Sequence, residues 1–236
     1  MGMKTVAIIG ALDEEVALIA KSLTHVTHTA AGSLDIVSGT VDSFGSDVIK
    51  VAATVGGMGL VNASATTQLL IDEFAPDAVI FTGIAGNLNT HLHINDVVLG
   101  GTLRYLDTDM RLVGQWKPGT ADAPVEEFHS DDHLLEVADA ALAEAGITHI
   151  VGIIASGNYL WTRLKRSRKS FVLPVLMPWN GRCRSGPGGR RNDVPALVVR
   201  ALSDNADTDY EVFKEFDISE YADTAARLAV DIVKRL

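Results

Sequence analysis

The sequence has 236 residues, of which 47% are hydrophobic; this is enough for one sizeable core and predicts a single domain over residues 1–236. Its formal net charge of −10 disfavours nucleic acid and anionic membrane surfaces as partners. One cysteine, Cys183, precludes an intrachain disulfide and favours a reducing cytoplasm. The opening MGMKTVAIIG is typical of a first strand rather than of a signal peptide, and no apolar run is long enough to span a bilayer.

Strands and helices alternate along most of the chain. We predict strands where short apolar or β-branched runs end at glycine or polar residues, over 6–9, 34–39, 47–53, 78–82, 96–100, 148–155 and 196–202. We predict helices where apolar residues recur at helical spacing, over 14–23, from the GGMG run at 56–59 to 74, over 133–145, and from 219 to 236. This alternation predicts an α/β fold whose mostly parallel sheet is covered on both faces.

Four short polar or glycine-rich segments follow predicted strands. They are DEE at 13–15, GIAG at 83–86, SGNY at 156–159 and SD at 203–204. Ligands of doubly wound sheets bind at the carboxyl ends of the strands, so these segments are the candidate binding edge. Each segment alone also has an ordinary structural interpretation, because acidic residues favour helix N-termini, glycines form turns and Asp caps helices.

Together, these segments and their flanks resemble the 5′-methylthioadenosine/S-adenosylhomocysteine nucleosidases. IIGALDEEV resembles the family's opening IIGAMEEEV, GGMGLVNASATTQLLID its SGIGKVNAA helix, and FTGIAGNL its NTGSAGGL. INDVVLGGTLRYLDTDM resembles GDVVIS with the Y-x-D-x-D stretch that follows, IASGNYL resembles IASGDxFI, and VPALVVRALSDNAD resembles VPFVVVRAISDxAD. The resemblance covers about residues 3–160 and 192–236. It implies the nucleoside phosphorylase fold, a three-layer α/β/α sandwich around a mixed, mostly parallel and partly barrel-like sheet.

The resemblance also implies that two carboxyl groups hydrolyse an N-ribosyl bond. Asp204 would protonate N7 of the departing adenine, and Glu15 would activate the attacking water on the other side of the sugar. The transition state would be oxocarbenium-like, as in inverting glycoside hydrolysis. Because the two carboxyl groups account for both proton transfers, no cofactor and no metal are expected. Four histidines without metal-ligand spacing are predicted to lie in solvated turns: His25, His28, His91 and His93.

Five further positions receive substrate-binding roles from the resemblance. The backbone of Gly86 would border the substrate, the ring of Tyr159 would stack on the base, and the backbone of Leu160 would read the edge of the base. Met58 would line the pocket for the 5′-alkylthio group, unless it only packs at the start of its helix. Ser203 would orient the neighbouring acid.

Three positions depart from the family's motifs, and none of them is a predicted catalytic carboxyl group. Ile84 stands in place of Ser near the nucleophilic side, Asn87 in place of Gly, and Asn158 in place of Asp beside the base site. These departures leave the predicted acid and base in place but affect their surroundings.

The implied partners are a small nucleoside substrate and a second copy of the chain in a homodimer. Two alternatives share the fold, namely a futalosine hydrolase and a phosphorolytic nucleoside phosphorylase. Phosphorolysis needs a cationic phosphate site, for which the candidates are Arg104, Arg111 and Arg200. A further alternative is a catalytically impaired nucleoside-binding or structural remnant, if residues 161–191 are genuine.

Residues 161–191 do not fit the rest of the sequence. They contain nine of the 20 Lys and Arg residues and none of the 30 Asp and Glu residues. One interpretation is a basic surface loop. Family members instead continue here with a helix and then a strand that carries a Met-Glu pair, whose Glu holds the ribose diol. We therefore tested which peptides the codons of this segment could encode in the other reading frames. They permit VDTPEKV from residue 160 onward, ADAVE around residues 175–180 and MEGAAVAQVA over 180–190, directly before NDVPALVVR, and these strings resemble the family's sequence. We predict that three single-base losses shifted the reading frame.

Overall fold

The computed structural model describes residues 5–105, 127–157, 192–204 and 219–236. The strands are β1 (Thr5–Gly10), β2 (Thr24–Ala31), β3 (Leu34–Asp42), β4 (Val48–Val55), β5 (Ala78–Phe81), β6 (Ile84–Gly86), β7 (Val97–Tyr105), β8 (Glu127–His129), β9 (His149–Ser156) and β10 (Ala196–Asp204). The helices are α1 (Asp13–Ser22), α2 (Leu60–Phe74), α3 (Asp132–Glu144) and α4 (Ser219–Arg235). No helix in these ranges has the length and apolar character needed to cross a membrane.

The described strands form one mixed sheet in the order β2-β3-β4-β1-β5-β10-β7-β8, with β6 added to β10 and β9 added to β7. The centre of the sheet is parallel, since β1 pairs with β4 and β5, and β10 pairs with β5 and β6. On one side, β3 is antiparallel to both of its neighbours, β2 and β4. On the other side, β7 runs antiparallel to β10 and parallel to β9. The predicted mixed, mostly parallel sheet is confirmed.

Helices cover both faces of this sheet. On one face α4 packs against α1 and α3, and their apolar side chains share a core with Val6 and Ile8 of β1. The alternate residues of β1, Ala7 and Ile9, belong to the core on the opposite face with Leu70 of α2. Burial on both faces explains why the central strands are continuous apolar runs rather than alternating ones. The predicted three-layer architecture is therefore present.

Three strands are not predicted by the sequence pattern: β2, β6 and β8. β2 has the polar, largely exposed sequence THVTHTAA and is an edge strand that is held by antiparallel pairing with β3. His25 and His28 lie on this strand, so their predicted placement in a turn is wrong; His28 Nδ1 lies 3.0 Å from Asp35 Oδ2. His91 and His93 do lie in the loop between β6 and β7. The other two unpredicted strands have only three residues each: β6 pairs with β10, and β8 pairs with β7.

Candidate active site

The carboxyl ends of β1, β5 and β10 meet at one edge of the sheet, because these neighbouring strands are parallel. Backbone hydrogen bonds continue the alignment beyond the strand ends. Thr82 N donates to Ile9 O at 3.0 Å, and Ala201 N donates to Gly83 O at 3.0 Å. β6 then pairs with the last residues of β10. Three of the four predicted segments, DEE, GIAG and SD, therefore lie at the same edge.

Glu15 lies in the first turn of α1, and its side chain is only 2% exposed. Its carboxylate turns back over the start of the helix, where Oε2 accepts hydrogen bonds from Ala11 N at 2.5 Å and Leu12 N at 3.0 Å. The other oxygen, Oε1, accepts a hydrogen bond from Ile84 N of β6 at 3.0 Å. Three N–H donors suit a carboxylate, which when ionised only accepts hydrogen bonds. The side chain is thus fixed to two different elements.

Gly83 leaves the space in which the Glu15 carboxylate and the Arg200 guanidinium approach each other. A Cβ atom at Gly83 would overlap Glu15 Oε1 and lie 2.7 Å from Arg200 Nη1, and the backbone has φ +148°, which L side chains rarely adopt. Arg200 is only 4% exposed. Burial lowers the pKa of Arg200 to about 10, although the negative charge of Glu15 opposes this shift. The guanidinium therefore remains cationic at neutral pH beside the carboxylate.

Asp204 is the last residue of β10 and lies opposite Gly86 of β6. The pairing of the two strands is regular as far as Leu202 and then shifts, so that Ser203 is the additional residue of a β-bulge. Ser203 is buried, and its hydroxyl donates to Asp204 Oδ2 at 3.0 Å. Asp204 itself is half-buried. Its carboxyl group is therefore held by its neighbour while it remains accessible from the edge of the sheet.

The three residues of β6 connect the two carboxyl groups. Ile84, the first, donates its backbone N–H to Glu15, and Gly86, the last, pairs with Asp204. The side chain of Ile84 packs against the cluster that contains Tyr221 of α4. Since the contact with Glu15 uses the backbone, the replacement of the family's Ser by Ile leaves that contact in place.

Of the remaining predicted substrate residues, the structure describes only Met58. Met58 precedes α2, and its residue surface is 67% exposed, so it does not serve as ordinary interior packing at the helix start. Tyr159 and Leu160 lie outside the described residues, as does the basic segment 161–191. Asn158, the third departure from the family's motifs, also lies outside them.

The fourth predicted segment, SGNY, does not follow a strand that is parallel to β10. β9 ends at Ser156 and runs parallel to β7, which is antiparallel to β10. β9 therefore runs in the opposite direction to β10. The expectation that all four segments follow strands of one direction is wrong for SGNY, because the sheet reverses direction between β10 and β7.

The candidate phosphate-binding cations have other neighbours. Arg104 forms an ion pair with Glu127 of β8, and Arg200 lies beside Glu15, while Arg111 is outside the described residues. The position of Arg200 beside Glu15 was not predicted, although a single cation within the apolar run ALVVRAL is a signal of a buried charge pair. Among the described residues, no group of three or more His, Cys, Asp or Glu side chains could hold a metal ion.

Comparison with known proteins assigns the family. The model of the phosphorylase superfamily matches residues 5–161. The 5′-methylthioadenosine/S-adenosylhomocysteine nucleosidase of Shewanella putrefaciens is 34% identical over 216 residues, which are 90% of this chain and 90% of that protein. The chain belongs to this nucleosidase family. The nucleosidase of Halalkalibacterium halodurans is 29% identical over 243 residues, 99% of this chain and 100% of that protein.

Solved structures agree with the nucleosidase assignment. The nucleosidase of Neisseria meningitidis, in complex with methylthio-immucillin-A, has a TM-score of 0.80 and 28% identity, with 99% of this chain and 100% of that chain covered. Futalosine hydrolase of Helicobacter pylori, at 23% identity and a TM-score of 0.76, shows that the same fold occurs there. The superfamily match ends at residue 161, where the anomalous basic segment begins.

Proposed function

We propose that this nucleosidase hydrolyses the N-ribosyl bond of 5′-methylthioadenosine and S-adenosylhomocysteine and releases adenine. The observation that carries the proposal is the pair of carboxyl groups, Glu15 and Asp204, held at the two ends of β6 at the carboxyl edge of the sheet. Their environments differ, since Glu15 is buried among N–H donors beside a cation and Asp204 is half-buried beside a hydroxyl. Different environments allow one carboxyl group to act as base and the other as acid.

We assign Asp204 as the general acid that protonates adenine N7. Protonation makes the base a neutral leaving group, and the electron pair of the breaking bond then stays with the adenine. The hydrogen bond from Ser203 to Oδ2 orients the carboxyl group, and the pairing with Gly86 sets its distance from β6. Gly86 has no side chain, so a nucleoside could approach its backbone closely.

We assign Glu15 as the general base that removes a proton from the attacking water. Each carboxylate oxygen has two acceptor directions, so the three backbone hydrogen bonds leave one direction for water. The bonds also fix the carboxylate before substrate binds, which reduces the reorganisation needed during the reaction. The negative charge at this position favours the positive charge that develops on the sugar ring, and Arg200 offsets the cost of burying that negative charge.

The remaining assignments extend the proposal from the two carboxyl groups to the whole protein. Tyr159 and Leu160 would hold the base, and Met58 the 5′-alkylthio group. Exposed apolar side chains at the start of α2, Met58 and Val61, are surfaces that a second copy could cover in a homodimer. The single cysteine is compatible with a reducing cytoplasm, where the reaction would serve methionine salvage. The proposal requires no cofactor.

The reaction products test the proposed function. With 5′-methylthioadenosine as substrate, we expect adenine and 5-methylthioribose in equal amounts, at a rate that inorganic phosphate does not change. Chromatography with mass detection, with and without phosphate, measures both products. Formation of methylthioribose-1-phosphate would show phosphorolysis instead and would contradict the proposal.

Glu15→Gln should lower kcat at least about 100-fold, because an amide cannot accept the proton of water. The melting temperature should also fall, since the substitution removes a negative charge beside the buried Arg200. Activity is therefore compared at a temperature at which circular dichroism shows both proteins folded. Glu14→Gln is the matched control: Glu14 is exposed in the same helical turn, and its loss affects only the helix dipole, worth about 0.3–1 kcal/mol. Equal kcat for Glu15→Gln and Glu14→Gln would remove Glu15 from its role.

Asp204→Asn should also lower kcat at least about 100-fold, because the amide has no proton of suitable acidity for adenine N7. Asp131→Asn is the matched control, since Asp131 caps α3 by accepting from His133 N and Leu134 N, a role that Asn fills about as well. If Asp204 were only a strand-end cap, both variants would retain parental rates, and that result in a steady-state assay would contradict the assignment.

We propose that residues 161–191 result from a shifted reading frame, which the end of the superfamily match at residue 161 supports. The segment has no acidic residue to hold the ribose diol, and a site that hydrogen-bonds a diol loses much affinity without its partner. A version carrying VDTPEKV and ADAVEMEGAAVAQVA in the corresponding places should therefore have a higher kcat/KM and a higher melting temperature than the chain as written. Comparable values for the two proteins would contradict the frameshift, as would an intact mass matching the written sequence in a fully active sample.

A further inference from the structure

The loop between β6 and β7, residues 87–96, is bonded to the bulged end of β10. At the start of the loop, the backbone N–H of Asn87 donates to the carbonyl oxygen of Asp204 at 2.7 Å. This bond lies on the far side of the additional residue, Ser203, where regular strand pairing has shifted. β-Bulges occur beside active sites because they re-aim a side chain. The orientation of the Asp204 carboxyl group therefore depends on how this bulge is held.

The end of the same loop holds the near side of the bulge. Asn95 N donates to the carbonyl oxygen of Leu202 at 2.9 Å, and Leu202 N donates to the carbonyl oxygen of Asp96 at 2.9 Å. Asn95 has φ +75°, a conformation that Asn tolerates better than most residues. The loop thus bonds the residue before and the residue after Ser203, so the spacing of its two ends sets the geometry of the bulge.

The Asn87 side chain constrains the first half of the loop from inside. Asn87 is 4% exposed, and its Nδ2 donates to Leu92 O at 2.8 Å while its Oδ1 accepts from Asn89 N at 2.8 Å. Both ends of one buried amide are therefore bonded to the loop backbone. Hydrogen bonds in such a buried, low-dielectric setting are strong, and a group that loses its partner there is destabilising. This one side chain connects the start of the loop to its middle.

Asn87 is one of the positions at which this chain departs from the family's motif. In the motif that FTGIAGNL resembles, NTGSAGGL, glycine stands at the position of Asn87. Glycine has no side chain and could make neither of the two amide bonds. The backbone bond to Asp204 would remain possible, but the loop that presents it would be free to adopt more conformations.

We propose that Asn87 is a positioning residue for the general acid, because it rigidifies the loop that holds the bulge before Asp204. The inference rests on the proposed function of Asp204. Asn87 acts through the Asp204 backbone and through the loop, and it need not touch the substrate. A loss of rigidity here displaces a proton donor from the atom that it protonates, and a displacement of about 1 Å can cost on the order of 100-fold in rate.

A double-mutant cycle measures this coupling. Asn87→Gly should lower kcat about 10- to 100-fold with little change in KM, because it affects acid placement rather than binding. In an Asp204→Asn background the same substitution should cost little more, since the group that it positions is already disabled. Equal losses of kcat in the two backgrounds would overturn the proposal. Asn89→Gly, which removes only the bond from His91 N to Asn89 Oδ1 in the same loop, should retain the parental kcat.

Amide hydrogen exchange tests the same proposal without turnover. Asn87→Gly should speed exchange at the Asn95 and Leu202 amides, which bond the loop to the bulge, whereas Asn89→Gly should leave both rates at parental values. Parental exchange rates at both amides in Asn87→Gly would overturn the positioning role. A parent protein that releases no adenine would overturn the proposed function instead, and the exchange rates would still decide whether Asn87 holds the bulge.

Discussion

The buried carboxylate of Glu15 is the interaction on which the rest of the site depends. Its two oxygens bond the backbone at the start of α1 and the first residue of β6, two segments that are far apart in the sequence. Its size also dictates the neighbouring residues, since a Cβ atom at Gly10 would lie 2.9 Å from Glu15 Cβ, and one at Gly83 would overlap its carboxylate. The helix start, the strand end and the glycines are therefore arranged around one side chain.

The charge of Arg200 lowers the free-energy cost of burying the Glu15 carboxylate, and it also makes substitution of either residue destabilising. Desolvation disfavours the charged form of the Arg200 guanidinium, and the negative charge of Glu15 offsets part of that penalty. Removing one partner of a buried pair typically costs about 3–5 kcal/mol, against a total stability of about 5–15 kcal/mol for a domain. A buried pair of opposite charges need not add net stability, but the loss of either charge is costly.

The sequence predicts those parts of the fold that bury apolar side chains. β1, β5 and β10 are continuous apolar runs because both of their faces are covered, and the polar residues after them mark the binding edge. β2 escapes prediction because pairing with β3, and not burial, holds it in place. The direction of β9 is not predictable from the sequence either, since the local residue pattern of a strand is the same in either direction. The position of Arg200 beside Glu15 depends on the register between strands distant in sequence, which residue types alone do not specify.

The place of Asp204 follows from the point at which the sheet changes direction. Ala201 of β10 pairs with Ile84 of β6 on one side and with Val97 of β7 on the other. The chain that leaves β6 must therefore cross the carboxyl end of β10 before it enters β7. A loop in this position meets the strand-end carbonyl groups of β10, which need hydrogen-bond donors once the regular ladder has ended. The loop amides supply them, to Leu202 and to Asp204. The proposed acid, Asp204, thus lies at the end of the strand that has a parallel neighbour, β6, on one side and an antiparallel neighbour, β7, on the other. The bulge in the backbone at this point determines the orientation of its carboxyl group.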